Sequence, residues 1–142
     1  MHAINKILLV EDNQIVSRIT RDVLTREFDC HVDIAETGEA ALDLVEQNIY
    51  ALILMDIGLP DMNGCTVTEQ IRAKTSNPNS KASIVAVTAH AEDEEKKTFT
   101  RIGMNRVIIK PLDKAVAQSL ATFLPTIENE PVRAIDKLNH IR

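Results

Sequence analysis

Short apolar runs alternate with longer segments of helical period along the chain. The first run, Ile7-Leu8-Leu9-Val10, ends in Glu11-Asp12. Behind it, Ile15, Val16, Ile19, Val23 and Leu24 recur at the spacing of one helix face. His31-Val32-Asp33-Ile34-Ala35 alternates as a half-buried strand does. Thr37 is a capping residue type ahead of a second helix, whose apolar side holds Ala41, Leu42, Leu44 and Val45. Ala51-Leu52-Ile53-Leu54-Met55 is apolar throughout and stops at Asp56. That is the pattern of a central strand covered on both faces.

The stretch Gly58-Leu59-Pro60-Asp61-Met62-Asn63-Gly64 is dense in turn residues. A third helix is expected from about Cys65 to Lys74, then a polar loop from Thr75 to Ser80 that contains Pro78. Ile84-Val85-Ala86-Val87 reads as a fourth strand ending at Thr88. Residues 92–102 are strongly charged, with Phe99 and Ile102 as the large apolar anchors of a wide-faced, solvated helix. Val107-Ile108-Ile109 is the fifth strand and meets Lys110-Pro111, a dipeptide at which a cis bond is an option. A last helix is expected from about Asp113 to Phe123. Five β–α repeats predict an α/β fold: a parallel sheet with helices on both sides, wound by right-handed crossovers.

Composition narrows this picture. The chain has 142 residues, enough for one domain and a short tail. Its core must be aliphatic, because there is no Trp, one Tyr and three Phe. A net charge of −5 argues against direct nucleic-acid binding by this segment, since phosphate backbones reward basic surfaces. Cys30 and Cys65 lack metal-ligand spacing and are expected as free thiols. No run approaches the roughly 20 apolar residues of a membrane helix. The segment is expected to be cytoplasmic and free of membrane contact, which is compatible with a membrane-anchored parent protein.

In an open parallel sheet, ligands bind beyond the carboxyl ends of the strands. Glu11-Asp12, Asp56, Thr88 and Lys110 all fall there. Taken singly each has a bland reading: a turn aspartate, a solvated acidic pair, a structural threonine, a plain Lys-Pro turn. Together they place three carboxylates, a hydroxyl and an amine on one sheet edge. Crowded carboxylates repel one another, and a hard divalent cation relieves that conflict. Mg²⁺ takes oxygen ligands and shares them with phosphate, so the cluster predicts Mg²⁺ and a phosphoryl group. Asp56 is then placed as a carboxylate nucleophile, with Lys110 and Thr88 reaching phosphoryl oxygens.

At these residues the chain resembles the receiver domains of response regulators and hybrid sensor kinases. The likeness is carried by Ile7 to Asn13, Leu54 to Gly64, Val87-Thr88-Ala89-His90-Ala91, Gly103-Met104-Asn105 and Lys110-Pro111-Leu112. It implies a flavodoxin-like, doubly wound five-stranded sheet of order 2-1-3-4-5 with five helices. It implies Asp56 as phosphoacceptor and Mg²⁺ on Asp12, Asp56 and the Gly58 carbonyl, with Glu11 acting largely through water. It implies Lys110 on the phosphoryl group and Thr88 as the switch. The partners implied are a histidine kinase or a histidine phosphotransfer domain. Thr88-Ala89-His90-Ala91 and Gly103-Met104-Asn105 resemble receivers of hybrid kinases most. A stand-alone single-domain regulator and an unphosphorylated pseudo-receiver are the alternatives.

One position departs from the family. Three residues before Lys110, where most members carry an aromatic, stands Val107, and a muted surface change on phosphorylation is the expectation. The haloacid-dehalogenase phosphatases, which also use an Asp nucleophile and Mg²⁺, need a second Asp two residues later. That position is Gly58. No phosphate-cradling glycine loop is present for a nucleotide. The receiver is expected to span residues 1–124, with 125–142 as a tail or linker. There Val132, Ile135, Leu138 and Ile141 recur at three-residue spacing, which suits either a short amphipathic helix or a frayed terminus.

Overall fold

A computed structural model describes residues 4–125. The tail from Thr126 onward, and with it the repeat from Val132 to Ile141, lies outside the described residues. Five strands form one parallel sheet in the order β2-β1-β3-β4-β5. They are β1 (Asn5–Val10), β2 (Cys30–Ala35), β3 (Leu52–Asp56), β4 (Ser83–Thr88) and β5 (Arg106–Ile109). Between and after them run α1 (Gln14–Glu27), α2 (Gly38–Gln47), α3 (Gly64–Ala73), α4 (Asp93–Arg101) and α5 (Lys114–Ser119). This is the expected doubly wound architecture.

The core lies in two layers, one on each face of the sheet, and strand alternation sorts residues between them. Leu8, Val10, Ile53, Met55, Ile84 and Ala86 pack with Ala41, Val45, Val67, Ile71 and Phe99 of α2, α3 and α4. Ile7, Leu9, Leu52, Leu54, Val85 and Ile108 pack with Leu24 of α1, Ala117 of α5 and Leu120 just beyond it. All five residues of β3 are buried, as its unbroken apolar run requires. Cys30 and Cys65 are free thiols.

Three expectations are corrected in detail. First, α1 is rotated relative to its apolar stripe. Its buried residues are Ser17, Thr20 and Leu24, whereas Ile15 and Ile19 are 71% and 58% exposed. Small inward side chains let the helix lie close to the sheet, and Ile15 and Ile19, one turn apart, are left facing outward together. Second, the loop around Pro78 contains a 3₁₀ turn, Pro78–Lys81. Asn79 in that turn is 1% exposed and holds three backbone groups: the carbonyls of Val45 and Asn48, and the Tyr50 N–H. Third, α5 ends at Ser119 and tightens into a 3₁₀ turn, Leu120–Phe123. Pro125 biases Leu124 toward the extended conformation it adopts, so the helix cannot run on.

Candidate functional site

Strand parity decides which polar residues meet. Leu9, Leu54 and Ile108 all face the α1–α5 layer. Two positions further along, the same parity falls on Glu11, Asp56 and Lys110. The Lys110 ammonium accordingly lies 2.7 Å from Glu11 Oε1 and 3.4 Å from Asp56 Oδ2. Asp12 joins them: carboxylate oxygens of Glu11, Asp12 and Asp56 lie within 4.8 Å of one another. Glu11 and Asp56 are buried, while Asp12 is exposed.

The local sequence sets this geometry. Asn13 caps α1, its side chain accepting from the N–H groups of Ile15 and Val16 at 3.0 Å each. Its own N–H donates to Glu11 Oε2 at 3.0 Å, so the helix start also orients the buried glutamate. Burial raises the Glu11 pKa, and the Asp56 charge adds to that, against the opposing pull of Lys110 and of the Asn13 N–H. For Lys110, burial favours the neutral amine, but contact with Glu11 and Asp56 outweighs it and raises the pKa. The lysine thus stays a cation. Three carboxylates, two of them buried, thus face that lysine.

That donor set tests well against a hard divalent cation. It is all oxygen, without sulfur or imidazole, and its charge is only partly met by one lysine. Mg²⁺, which prefers oxygen ligands, suits those properties better than zinc, which favours sulfur and nitrogen.

The β3–α3 connection is tightly folded beside this cluster. The Gly58 N–H donates to Asp56 Oδ1 at 3.1 Å, and Gly58 forms an antiparallel bridge with Asn63. The Gly64 N–H closes on the Ile57 carbonyl at 2.9 Å. A Cβ on Gly64 would sit 2.3 Å from the Asp56 carbonyl oxygen, so only glycine permits the return. Thr88 has the opposite parity, shared with Ile84 and Ala86. Its hydroxyl donates to the His90 carbonyl at 3.1 Å. The structure therefore brings Glu11, Asp12, Asp56 and Lys110 together, sets Gly58 beside them, and engages Thr88 with its own loop. The Lys110–Pro111 bond is cis.

Two contributors escape a reading of strand ends. Asn13 is signalled only as a capping residue type ahead of an apolar helix. Asp61 is visible as a turn residue, but its partners lie on α2, 22 and 23 residues away in sequence.

The family model for the response regulator receiver domain matches residues 7–121. The chain belongs to the response regulator receiver family. It is 33% identical over 135 residues to the response regulator ArlR of Staphylococcus epidermidis, covering 95% of this chain and 58% of that protein. It is 36% identical over 110 residues to the sensor protein GacS of Pseudomonas syringae, covering 77% of this chain and 12% of that protein. The receiver domain of the sensor histidine kinase PA1611 from Pseudomonas aeruginosa, solved with magnesium coordinated in its active-site cleft, superposes with a TM-score of 0.74. That comparison covers 83% of this chain and 94% of the other at 31% identity. This receiver thus spans little more than half of one curated relative and a small part of another. It is a receiver domain of two-component signalling. No helix among its described residues is long and apolar enough to cross a membrane.

Proposed function

We propose that this receiver takes a phosphoryl group from a phosphohistidine onto Asp56 and serves in a phosphorelay. The observation that carries the reading is the convergence of Glu11, Asp12 and Asp56 within 4.8 Å, against the Lys110 ammonium, at the end of the central strand. An Asp56 carboxylate oxygen attacks phosphorus in line with the scissile bond. The O–P bond forms as the N–P bond breaks, and the departing electron pair returns to the imidazole nitrogen of the donor. The Gly58 N–H fixes one Asp56 oxygen, and Lys110 meets the charge gathering on the phosphoryl oxygens. Asp12, Asp56 and the Gly58 carbonyl would hold Mg²⁺, with Glu11 acting through water. The cation supplies charge neutralisation across the transferring group. Thr88 would leave His90 and turn to a phosphoryl oxygen as the switch.

The donor is a histidine kinase or a histidine phosphotransfer domain. An apolar cleft of about 160 Å³ supports a protein partner on this side. Val16, Ile19, Pro111 and Leu112 line it, and Glu11 and Lys110 connect it to the acidic cluster. The likenesses to GacS and to the PA1611 receiver favour a segment of a hybrid sensor kinase on the cytoplasmic side. The longer match to ArlR supports the second reading, a separate response regulator. Under either reading, residues 1–124 are the receiver and 125–142 a tail or linker.

Intact-mass measurement after incubation with acetyl phosphate tests the central claim. One phosphoryl adduct is expected with Mg²⁺ and none with excess chelator. Absence of an adduct with acetyl phosphate and with any histidine-kinase donor would favour a pseudo-receiver. The Val107 expectation has its own test. Val107 is only partly buried against the α2–α4 layer, so it offers the switch no large ring to reposition. Beryllofluoride with Mg²⁺ should therefore shift amides around Asp56 strongly and those of residues 92–107 weakly. Large shifts throughout 92–107 would overturn a muted switch.

A further inference from the structure

Asp61 lies at the outer end of the ribbon that begins at Gly58 and closes at Asn63. Its two carboxylate oxygens reach across to the start of α2. Oδ1 accepts from the Gly38 N–H at 2.8 Å, and Oδ2 accepts from the Glu39 N–H at 2.9 Å. These are two of the helix-start donors that have no partner within α2. The helix's own cap, Thr37, accepts from Ala40 and leaves those two open. The bonds to Gly38 and Glu39 hold the Asp61 carboxyl below the usual carboxylate range, so it stays ionised and bound across neutral pH.

Packing closes the same joint. A Cβ on Gly38 would lie 2.5 Å from Met62 Cγ and 2.8 Å from Val67 Cγ2, so the loop rests directly on the bare helix backbone. The far side of the ribbon is fixed by Gly58 and Gly64 to Asp56 and Ile57. The loop is thus held at its base by β3 and at its tip by α2. Removing the tip contact frees the stretch that carries the Gly58 carbonyl without touching Glu11, Asp12 or Lys110.

We propose that Asp61 is a positioning residue for the divalent site: by clamping the β3–α3 loop to the start of α2, it presets the Gly58 carbonyl as a ligand. This rests on the reading above, in which Gly58 completes the Mg²⁺ site. A ligand held in place before the cation arrives loses less freedom on binding, and partners of ligands commonly carry a large share of metal affinity.

The test is a titration of the unphosphorylated chain with MgCl₂, followed by amide chemical shifts, in wild type, Asp61→Ala, Asp61→Asn and Thr37→Ala. Asp61→Ala is expected to raise the Mg²⁺ Kd by about tenfold. Asp61→Asn keeps one acceptor and should fall between. Hydrogen exchange should quicken at the amides of Gly38, Glu39, Gly58, Leu59 and residues 61–63. Thr37→Ala weakens α2 without loosening the loop, so it should lower thermal stability and leave the Kd unchanged. The loss in Asp61→Ala should persist in 0.5 M KCl, where a through-space charge effect is screened within about 4 Å. Wild-type affinity in Asp61→Ala, or a loss that vanishes in high salt, would overturn the positioning role alone. A wild-type chain that binds no Mg²⁺ would overturn the metal reading and this inference with it.

Discussion

Asp56→Asn will gain no phosphoryl group from acetyl phosphate and Mg²⁺, and Lys110→Ala will gain one about 10²–10³-fold more slowly than wild type. The two losses have different causes, and the metal separates them. Asparagine at 56 removes the nucleophile and one charge of the acidic cluster, so Mg²⁺ affinity falls along with transfer. Alanine at 110 removes the cation that bridges Glu11 and Asp56, at 2.7 and 3.4 Å. The cluster becomes more negative, and Mg²⁺ binding should hold or tighten. What is lost is a charge aimed at the oxygens of the transferring group, an interaction that grows as the reaction proceeds. The measurements are the rate of adduct formation by intact mass and the Mg²⁺ titration of each variant. A Lys110→Ala chain that loses Mg²⁺ affinity and rate together would show that the lysine supports the metal site instead.

How the site is reached from sequence depends on the range of the interaction that builds it. Glu11, Asp12, Asp56 and Lys110 are legible because each directly follows or ends an apolar run, and a parallel sheet gathers such ends on one edge. Strand parity then accounts for Thr88 standing apart, since it falls on the other face from Glu11, Asp56 and Lys110. The phase of α1 is not legible in the same way. An apolar stripe containing Ile15 and Ile19 predicts burial, but the sheet accepts the smaller Ser17 and Thr20 inward instead. Asn79 and Asp61 are further from reach. A polar turn residue carries no local sign that its side chain will hold the carbonyls of Val45 and Asn48, or the first N–H groups of α2. Such residues act only after distant segments have been brought together, so no periodicity records them.

Arg72 is the strongest case of that kind, and its removal should be the most damaging single change to stability outside the apolar core. Its guanidinium leaves the last turn of α3 and meets four oxygens on two connections, α3–β4 and α4–β5. Nε and Nη2 donate to the Gly103 carbonyl at 3.1 and 2.7 Å. Nη1 donates to the carbonyls of Ser80 and Ala82 at 2.9 and 2.6 Å, and Nη2 reaches Asn105 Oδ1 at 3.1 Å. Asn105 in turn accepts from the Ile84 N–H at 2.8 Å, so the network continues into β4. Gly103 sits at φ +112, where a side chain is strained in any case. A Cβ there would approach Arg72 Nε to 3.0 Å. Burial lowers the Arg72 pKa, yet the group remains charged. Hydrogen bonds to a charged donor are worth more than neutral ones, and the carbonyls left behind are partly shielded from water. Arg72→Ala should therefore cost about 2–4 kcal/mol in urea unfolding. Arg72→Lys should recover only part of that, because one ammonium cannot span the fork of Gly103, Ser80 and Ala82. Since the network lies away from Asp56, the folded fraction of Arg72→Ala should still take up a phosphoryl group at close to the wild-type rate at low temperature. Amide exchange should quicken at Gly103, Asn105 and Ile84 before it does so in β1 or β3. A loss below about 1 kcal/mol would mean that water replaces the guanidinium at these carbonyls and that the α4–β5 connection holds its shape without Arg72.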